Sequence, residues 1–402
     1  MKILSVVGAR PNFMKVAPII AAVESHNRKV SVSSDGGEPI QHLLVHTGQH
    51  YGDLMSDSFF ADLGLPKPDV HMGVGSGSHA VQSAEIMKRF EEILLAERPD
   101  VVIVVGDVNS TLACAVVTSK ISFDTNGARP LIAHVESGLR SFDRTMPEEI
   151  NRVVTDHVVD LLFVTEESGI RNLKNEGISP DKIHFVGNTM IDSLLRFLAK
   201  ADSSKKLDEL HLRLPSGNTG RSSVTPYALL TMHRPANVDN PEAFREILAG
   251  LEELATDLPI VFPVHPRTRK RMEEFGLKLH LSGESKSNAG GLVLIDPLGY
   301  LDFLCLMKNA AIVVTDSGGI QEETTCLGVP CVTVRDNTER PVTVDKGTNV
   351  IAGTAQAGIR AAIRSQRTRS GSNSVPQFWD GHAAERIVDL LSRVRQSNLV
   401  RA

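Results

Sequence analysis

Val101 to Asp107 reads VVIVVGD, five aliphatic residues in succession closed by a glycine and an acid. An unbroken apolar run of this length suits a strand covered on both faces, because a strand with one wet face alternates apolar and polar residues. The same texture recurs along the chain. KILSVVG, HLLVHTG, LIAHVES, LLFVTE and KIHFVG accompany it in the first half, and YALLTMH, PIVFPVH, GLVLIDP, AAIVVTD, PCVTVRD and TNVIAG follow in the second. Between them lie helical patterns such as VQSAEIMKRFEEILLAE, whose apolar residues return near the helical period. Alternation of this kind predicts α/β architecture with parallel sheets covered on both sides.

The chain has 402 residues, long for one ordinary core, which favours two domains. The break falls after the helical piece TMIDSLLRFLAKA, where LPSGNTGRSSVTP turns polar and rich in glycine and serine. We expect two doubly wound, parallel-sheet (Rossmann-like) domains facing each other across a crevice: residues 1–190 and 191–378, with a tail at 379–402. The tail, DGHAAERIVDLLSRV, offers an N-cap and an amphipathic helix that packs back on the first domain. VSVSSDGGEP and LSGESKSNAGG read as surface loops.

Composition narrows the class. Hydrophobic residues make up 41% and charged residues 23%, as in globular proteins, and the formal net charge of -5 gives no general attraction to nucleic acid or an anionic membrane. The opening MKILSVVGARP is broken by Gly8 and Pro11, too early for a signal-peptide core, and no apolar run reaches bilayer length, so a cytoplasmic protein is expected. Cys114, Cys305, Cys326 and Cys331 sit in apolar surroundings without a C-x-x-C pair, which favours buried thiols in a reducing compartment over zinc.

Ligands of open parallel sheets gather beyond the carboxyl ends of the strands, so the residues after each run matter most. KILSVVG leads to Arg10 and, one turn into a helix, Lys15; VVIVVG to Asp107; LIAHV to Glu136; YALLTM to His233; PIVFPV to His265; AAIVVT to Asp316 and Ser317. Each has two readings. Asp107 is a catalytic acid or a cap for the helix starting near Asn109. Glu136, a costly end for a buried strand, is catalytic or the ion-pair partner of Arg140. Glu148 and Glu149 follow Pro147, where acids favour a helix dipole in any protein. His233 faces a ligand or is a core histidine, and no acidic or histidine cluster has metal-ligand spacing. TDSGGIQEE, Thr315 to Glu323, allows close approach at Gly318 and Gly319 before a helix whose free N–H groups suit phosphate, and it also reads as an ordinary strand-to-helix turn. The first domain lacks G-x-G-x-x-G after a strand, which disfavours a dinucleotide cofactor.

VGARPNFMKVAP, LVHTGQH, VVGDVNSTLA, HVESGLRSFDRTMPEEINR, MHRPANVDN and TDSGGIQEETTCLGVPCVTVRDNTERP follow one another in this order. On these segments the chain resembles, over nearly its whole length, the non-hydrolysing UDP-N-acetylglucosamine 2-epimerases, which share the two-domain B-type glycosyltransferase fold. The resemblance implies acid/base roles for Asp107, Glu136 and Glu148, with His233 and Arg10 addressing the diphosphate. Ser317, Gly318 and Gly319 would hold phosphate, Glu323 the ribose hydroxyls and Phe303 the uracil, with Lys15 and Arg340 completing a cationic lining. It implies no cofactor or metal, a UDP-sugar as the small-molecule partner, a homodimer, and supply of N-acetylmannosamine-type sugars for surface polysaccharide. Two departures stand out. Tyr51 follows TGQH where bacterial members usually carry a basic residue, in a region that binds an activating second UDP-GlcNAc, and HRPANVDN replaces the commoner HRREN form. A 2-epimerase of a related UDP-N-acetylhexosamine, a glycosyltransferase of the same fold and a non-catalytic UDP-sugar-binding protein are the alternatives.

Overall fold

Each of the twelve apolar runs contains a strand of the computed structural model, which describes residues 1–32, 38–49, 64, 66–213, 224–277, 291–369 and 374–401. Tyr51, most of LPSGNTGRSSVTP and nearly all of LSGESKSNAGG lie outside the described residues. The first sheet comprises β1 (Lys2–Val7), β2 (Gln41–His46), β3 (Val70–His71), β4 (Val101–Val105), β5 (Leu131–Ser137), β6 (Leu161–Val164) and β7 (Ile183–Phe185). The second comprises β8 (Ala228–Thr231), β9 (Pro259–Pro263), β10 (Gly291–Ile295), β11 (Ile312–Thr315), β12 (Cys331–Thr333) and β13 (Asn349–Ile351). The two-residue β3 carries no apolar run and has no signal in the sequence.

All strand pairs in both sheets are parallel. Strand order is β3-β2-β1-β4-β5-β6-β7 in the first sheet and β10-β9-β8-β11-β12-β13 in the second. Each therefore reverses direction of growth once, between β1 and β4 and between β8 and β11, and the loops leaving those strands splay apart there. The two reversals decide where a ligand fits.

Covering helices complete each unit. Around β4, all of whose residues are buried, Leu4, Val6, Phe90, Leu94 and Leu162 form one core. Leu230, Phe244, Ile260, Phe262 and Val314 centre the other. The compact units are Met1–Arg196 together with Gln377–Ala402, and Phe197–Pro376. Cys114, Cys305 and Cys331 are buried, Cys326 is half-buried, and all four are free thiols.

The terminal segment is fixed to the first unit by long-range bonds. Trp379 donates from Nε1 to the Thr165 carbonyl at 2.9 Å, and Arg386 donates to the Val186 carbonyl at 3.0 Å. The N–H groups of Ala383 and Ala384, at the start of the Ala383–Arg401 helix, donate to the buried Asp192 carboxylate at 3.2 and 2.7 Å. Asp380, within the sequence's capping stretch, instead accepts from His382 N and pairs with Arg386. Beside this junction Gly187 has a φ of 93°, and a Cβ there would overlap the Phe378 carbonyl. We therefore expect Gly187→Ala to lower unfolding free energy by at least about 1–3 kcal/mol, read by chemical denaturation.

Candidate functional site

The acids of the first unit collect at its topological switch. Asp107 follows β4 and does not cap the next helix, whose N-cap residue is Val108 with no side-chain capping bond. Its carboxylate is held by Arg152, with Nε at 3.0 Å and Nη2 at 2.7 Å from Oδ2, while the Asn151 amide donates to its carbonyl at 2.9 Å. Asp107 keeps about a quarter of its side chain exposed, at 24%, so a ligand can still reach it.

Glu136 sits in a bulge of β5, where the register with β6 shifts between Val135 and Ser137. Its φ is 73°, a left-handed conformation that a glutamate adopts at a cost of about 1–3 kcal/mol unless its surroundings impose it. Glu136 Oε2 lies 2.7 Å from Lys15 Nζ, and both side chains are buried. The ion-pair partner is thus Lys15, and Arg140 pairs elsewhere. Lys15, which the sequence places in the cationic lining, is engaged by a carboxylate. Arg10 at the head of the same helix is exposed.

A second charged network underlies these acids. His134 directs Nδ1 to Asp156 at 2.7 Å and Nε2 to the Gly106 carbonyl at 2.8 Å. Asp156 also accepts from Gly138 N at 3.0 Å and lies 2.7 Å from Arg140 Nη1. Burial alone would push the Asp156 carboxyl up, but His134 and Arg140 outweigh it and hold the group below its ordinary value. One carboxylate so fixes the backbone on the C-terminal side of Glu136, and through His134 the turn that precedes Asp107. The sequence reading did not find His134 or Asp156 as parts of the site, since 22 residues separate them.

The two glutamates after Pro147 divide their work. Glu149 is buried and accepts from Ser141 N, Ser141 Oγ and Phe142 N at 2.9, 3.0 and 2.8 Å, with Arg152 Nη1 at 2.6 Å. It is a latch for the SFDR loop. Glu148, one position earlier, is exposed. Arg152 thereby bridges Asp107 and Glu149.

At the second switch, His233 follows β8 and Asp316 follows β11. His233 is exposed, its ring paired through Nδ1 with the wholly buried Asp316 at 3.0 Å. Ser317 precedes the Gly318–Leu327 helix as N-cap residue with no side-chain cap bond, leaving its hydroxyl uncommitted to capping. A Cβ on Gly318 would overlap Arg340 Nη1, so only glycine lets the turn sit against that guanidinium. Arg340 is buried between Glu339 and Glu322, the latter at 2.9 Å. His265 is exposed and caps the Pro266–Glu274 helix by accepting from Arg267 N at 3.3 Å. Phe303 is half-buried on the Tyr300–Asn309 helix.

Glu323 is buried one turn into the glycine-led helix and accepts from the Tyr300 hydroxyl at 3.0 Å. Burial, opposed by that hydrogen bond, pushes its carboxyl up to about 7. Among the described residues no group of three His, Cys, Asp or Glu side chains is arranged to hold a metal, and no helix is long and apolar enough to cross a membrane.

Two parallel-sheet α/β units, one with buried ion-paired acids at its switch point and the other with a glycine turn opening a helix, define the class: the two-domain architecture of B-type glycosyltransferases. Within it, the family model described as UDP-N-acetylglucosamine 2-epimerase matches residues 35–392, and the chain belongs to that family. It is 41% identical over 394 residues to the UDP-N-acetylglucosamine 2-epimerase of Methanocaldococcus jannaschii, covering 98% of this chain and 99% of that protein. A UDP-2,3-diacetamido-2,3-dideoxy-D-glucuronate 2-epimerase of Pseudomonas aeruginosa is 37% identical, covering 98% of this chain and all of that one. The crystal structure of the Methanocaldococcus jannaschii UDP-GlcNAc 2-epimerase in complex with UDP-GlcNAc and UDP superposes with a TM-score of 0.82 at 40% identity, covering 98% of this chain and 100% of that chain.

The Glu323 carboxyl supplies a test that needs no substrate. Its value is raised in the fold, so its contribution to stability is complete below the ordinary carboxyl range and is lost as pH rises through about 7. Glu323→Gln should therefore gain stability over the unsubstituted protein as pH rises from about 5 to 8, by at most about 3 kcal/mol, in denaturation series at each pH.

Proposed function

We propose that this protein catalyses the reversible C2 epimerisation of UDP-N-acetylglucosamine to UDP-N-acetylmannosamine by elimination and re-addition of UDP. The observation that carries the reading is the trio of Asp107 and Glu136 at strand ends and Glu148 in the first turn of the Pro147–Val158 helix, two of them held against cations and the third exposed. Nucleotide capture alone gives these acids nothing to do.

The C2 hydrogen of the substrate is not acidic, because no carbonyl adjoins that carbon. As the C1–O bond breaks, its electron pair leaves with UDP, C1 takes on oxocarbenium character and C2–H acidifies. A carboxylate then removes the proton and a glycal forms. Proton return to the opposite face of C2 and attack of UDP at C1 complete the epimer. Two faces call for more than one acid/base group, and Glu136 beside Lys15 and Asp107 beside Arg152 supply two. On this reading residues 1–190 handle the proton, residues 191–378 hold UDP, and 379–402 brace the first unit.

Within the second unit, Ser317, Gly318 and Gly319 present N–H donors to the diphosphate, with His233 beside them; Arg10 is assigned to the diphosphate by the family resemblance alone. Glu323 takes the ribose hydroxyls and Phe303 the uracil. Arg340 fixes the turn from behind, and Lys15 serves Glu136 more directly than it serves phosphate. The family resemblance also supports a cytoplasmic homodimer that supplies N-acetylmannosamine-type sugars for surface polysaccharide. The Pseudomonas aeruginosa relative keeps a related UDP-N-acetylhexosamine as the alternative substrate.

Incubation with UDP-GlcNAc in deuterated water, followed by proton NMR, should show the 2-epimer and deuterium at C2. Epimer that retains its C2 proton would rule out elimination, and a transferred sugar would make the protein a glycosyltransferase. Changing Glu136 or Glu148 to Gln should lower turnover by roughly a hundredfold or more, with UDP affinity in calorimetry scarcely changed. A variant that melts early yet turns over normally per folded molecule would remove that glutamate from the proton-handling set.

A further inference from the structure

The Asp316 carboxylate holds more donors than a turn requires. It is fully buried, and its Oδ2 accepts from Arg234 N at 2.9 Å and the Asn237 amide at 3.1 Å. His233 N lies 3.1 to 3.2 Å from both oxygens, and the His233 ring meets Oδ1 through Nδ1 at 3.0 Å. Burial would push this carboxyl up, yet these donors hold it below its ordinary value. The backbone contacts suffice to shape the loop after β8. The ring contact adds something else: Nδ1 must carry a hydrogen, because a carboxylate only accepts, and Nε2 is left on the exposed side of a ring whose side chain is 61% exposed.

We propose that Asp316 is the positioning residue of His233, forming with it a carboxylate–imidazole dyad that aims Nε2 at the diphosphate of the sugar nucleotide and stabilises the imidazolium when that anion binds. Asp316 directly precedes Ser317, so the dyad lies beside the phosphate turn, on the two strands that flank the switch point. The ring takes its second proton from solvent as the anion binds and keeps it: Nε2–H donates to a phosphate oxygen, and the charge that grows there as the C1–O bond breaks is matched by a cation already paired from behind. The proposal rests on the nucleotide-binding reading of the second unit.

Calorimetric UDP titration of Asp316→Asn, His233→Gln and the double variant, each normalised to folded protein, tests it. Either single change should weaken UDP by about tenfold or more, and the double should be no weaker than His233→Gln alone, because the carboxylate acts through the ring. Losses that multiply would make Asp316 an independent structural group and overturn the proposal. An amide at 316 faces N–H donors, so that variant can fail to fold. The ring itself therefore supplies a second reading: nitrogen-15 NMR of histidine-labelled, unsubstituted protein in mildly basic buffer should show His233 with hydrogen on Nδ1. A neutral ring carrying its hydrogen on Nε2 would overturn the dyad. Failure of the unsubstituted protein to bind UDP would sink the nucleotide reading and the diphosphate half of this proposal, while the ring spectrum still decides the pairing.

Discussion

Arg152 is shared between two carboxylates, and most of the first unit's chemistry depends on that sharing. The Nε–Nη2 edge of its guanidinium holds Asp107 after β4, and Nη1 holds Glu149, which closes the SFDR loop. Taking three charges largely out of water is costly, and the cost is offset only when each hydrogen-bonding position finds a partner. The loop supplies those partners to Glu149. Asp107, by contrast, keeps about a quarter of its side chain exposed, at 24%.

The same constraint recurs at several other buried carboxylates. Glu136 is tied to Lys15, Asp156 to His134 and Arg140, Asp316 to His233, and Glu322 and Glu339 to Arg340. All of these pairs lie at or near the carboxyl ends of the parallel strands. A parallel sheet covered on both faces leaves only its ends for polar groups, so chemistry and charge concentrate there. The strained backbone at Glu136 fits this account, since the ion pair and the neighbouring Asp156–Gly138 bond over-determine a conformation that the residue would not adopt alone.

The two units use the switch point differently. In the first, anions are offset by lysine and arginine, an arrangement suited to moving a proton. In the second, backbone donors, a serine whose side chain makes no capping bond and an exposed histidine lie at a glycine turn, an arrangement suited to receiving an anion. Glu323 is the exception: it is buried beside Tyr300, with its carboxyl pushed up to about 7. On the proposed reading, hydroxyl donors from a ribose would favour its ionised form and would couple nucleotide capture to a single buried group.

The sequence by itself determined twelve of the thirteen described strands and the parallel sheets they build. Unbroken runs such as VVIVVGD have few other stable environments, and a polar residue at the end of such a run has few places to go. It also supplied polar groups by position: Asp107, Glu136, His233 and the SGG turn appear where their strands end, and Glu148 in the first turn of a helix after Pro147. It did not fix who pairs with whom. Arg140 lies four residues after Glu136 and invites pairing with it, yet β5 bulges, the chain turns, and Lys15 from another element arrives instead. Glu148 and Glu149 are adjacent and alike, and only the helix's setting buries one and exposes the other. Asp316 finds His233 across 83 residues. Local pattern reports which groups a chain puts at its strand ends; the choice among possible partners is made by close packing in three dimensions, where distance along the chain carries no weight.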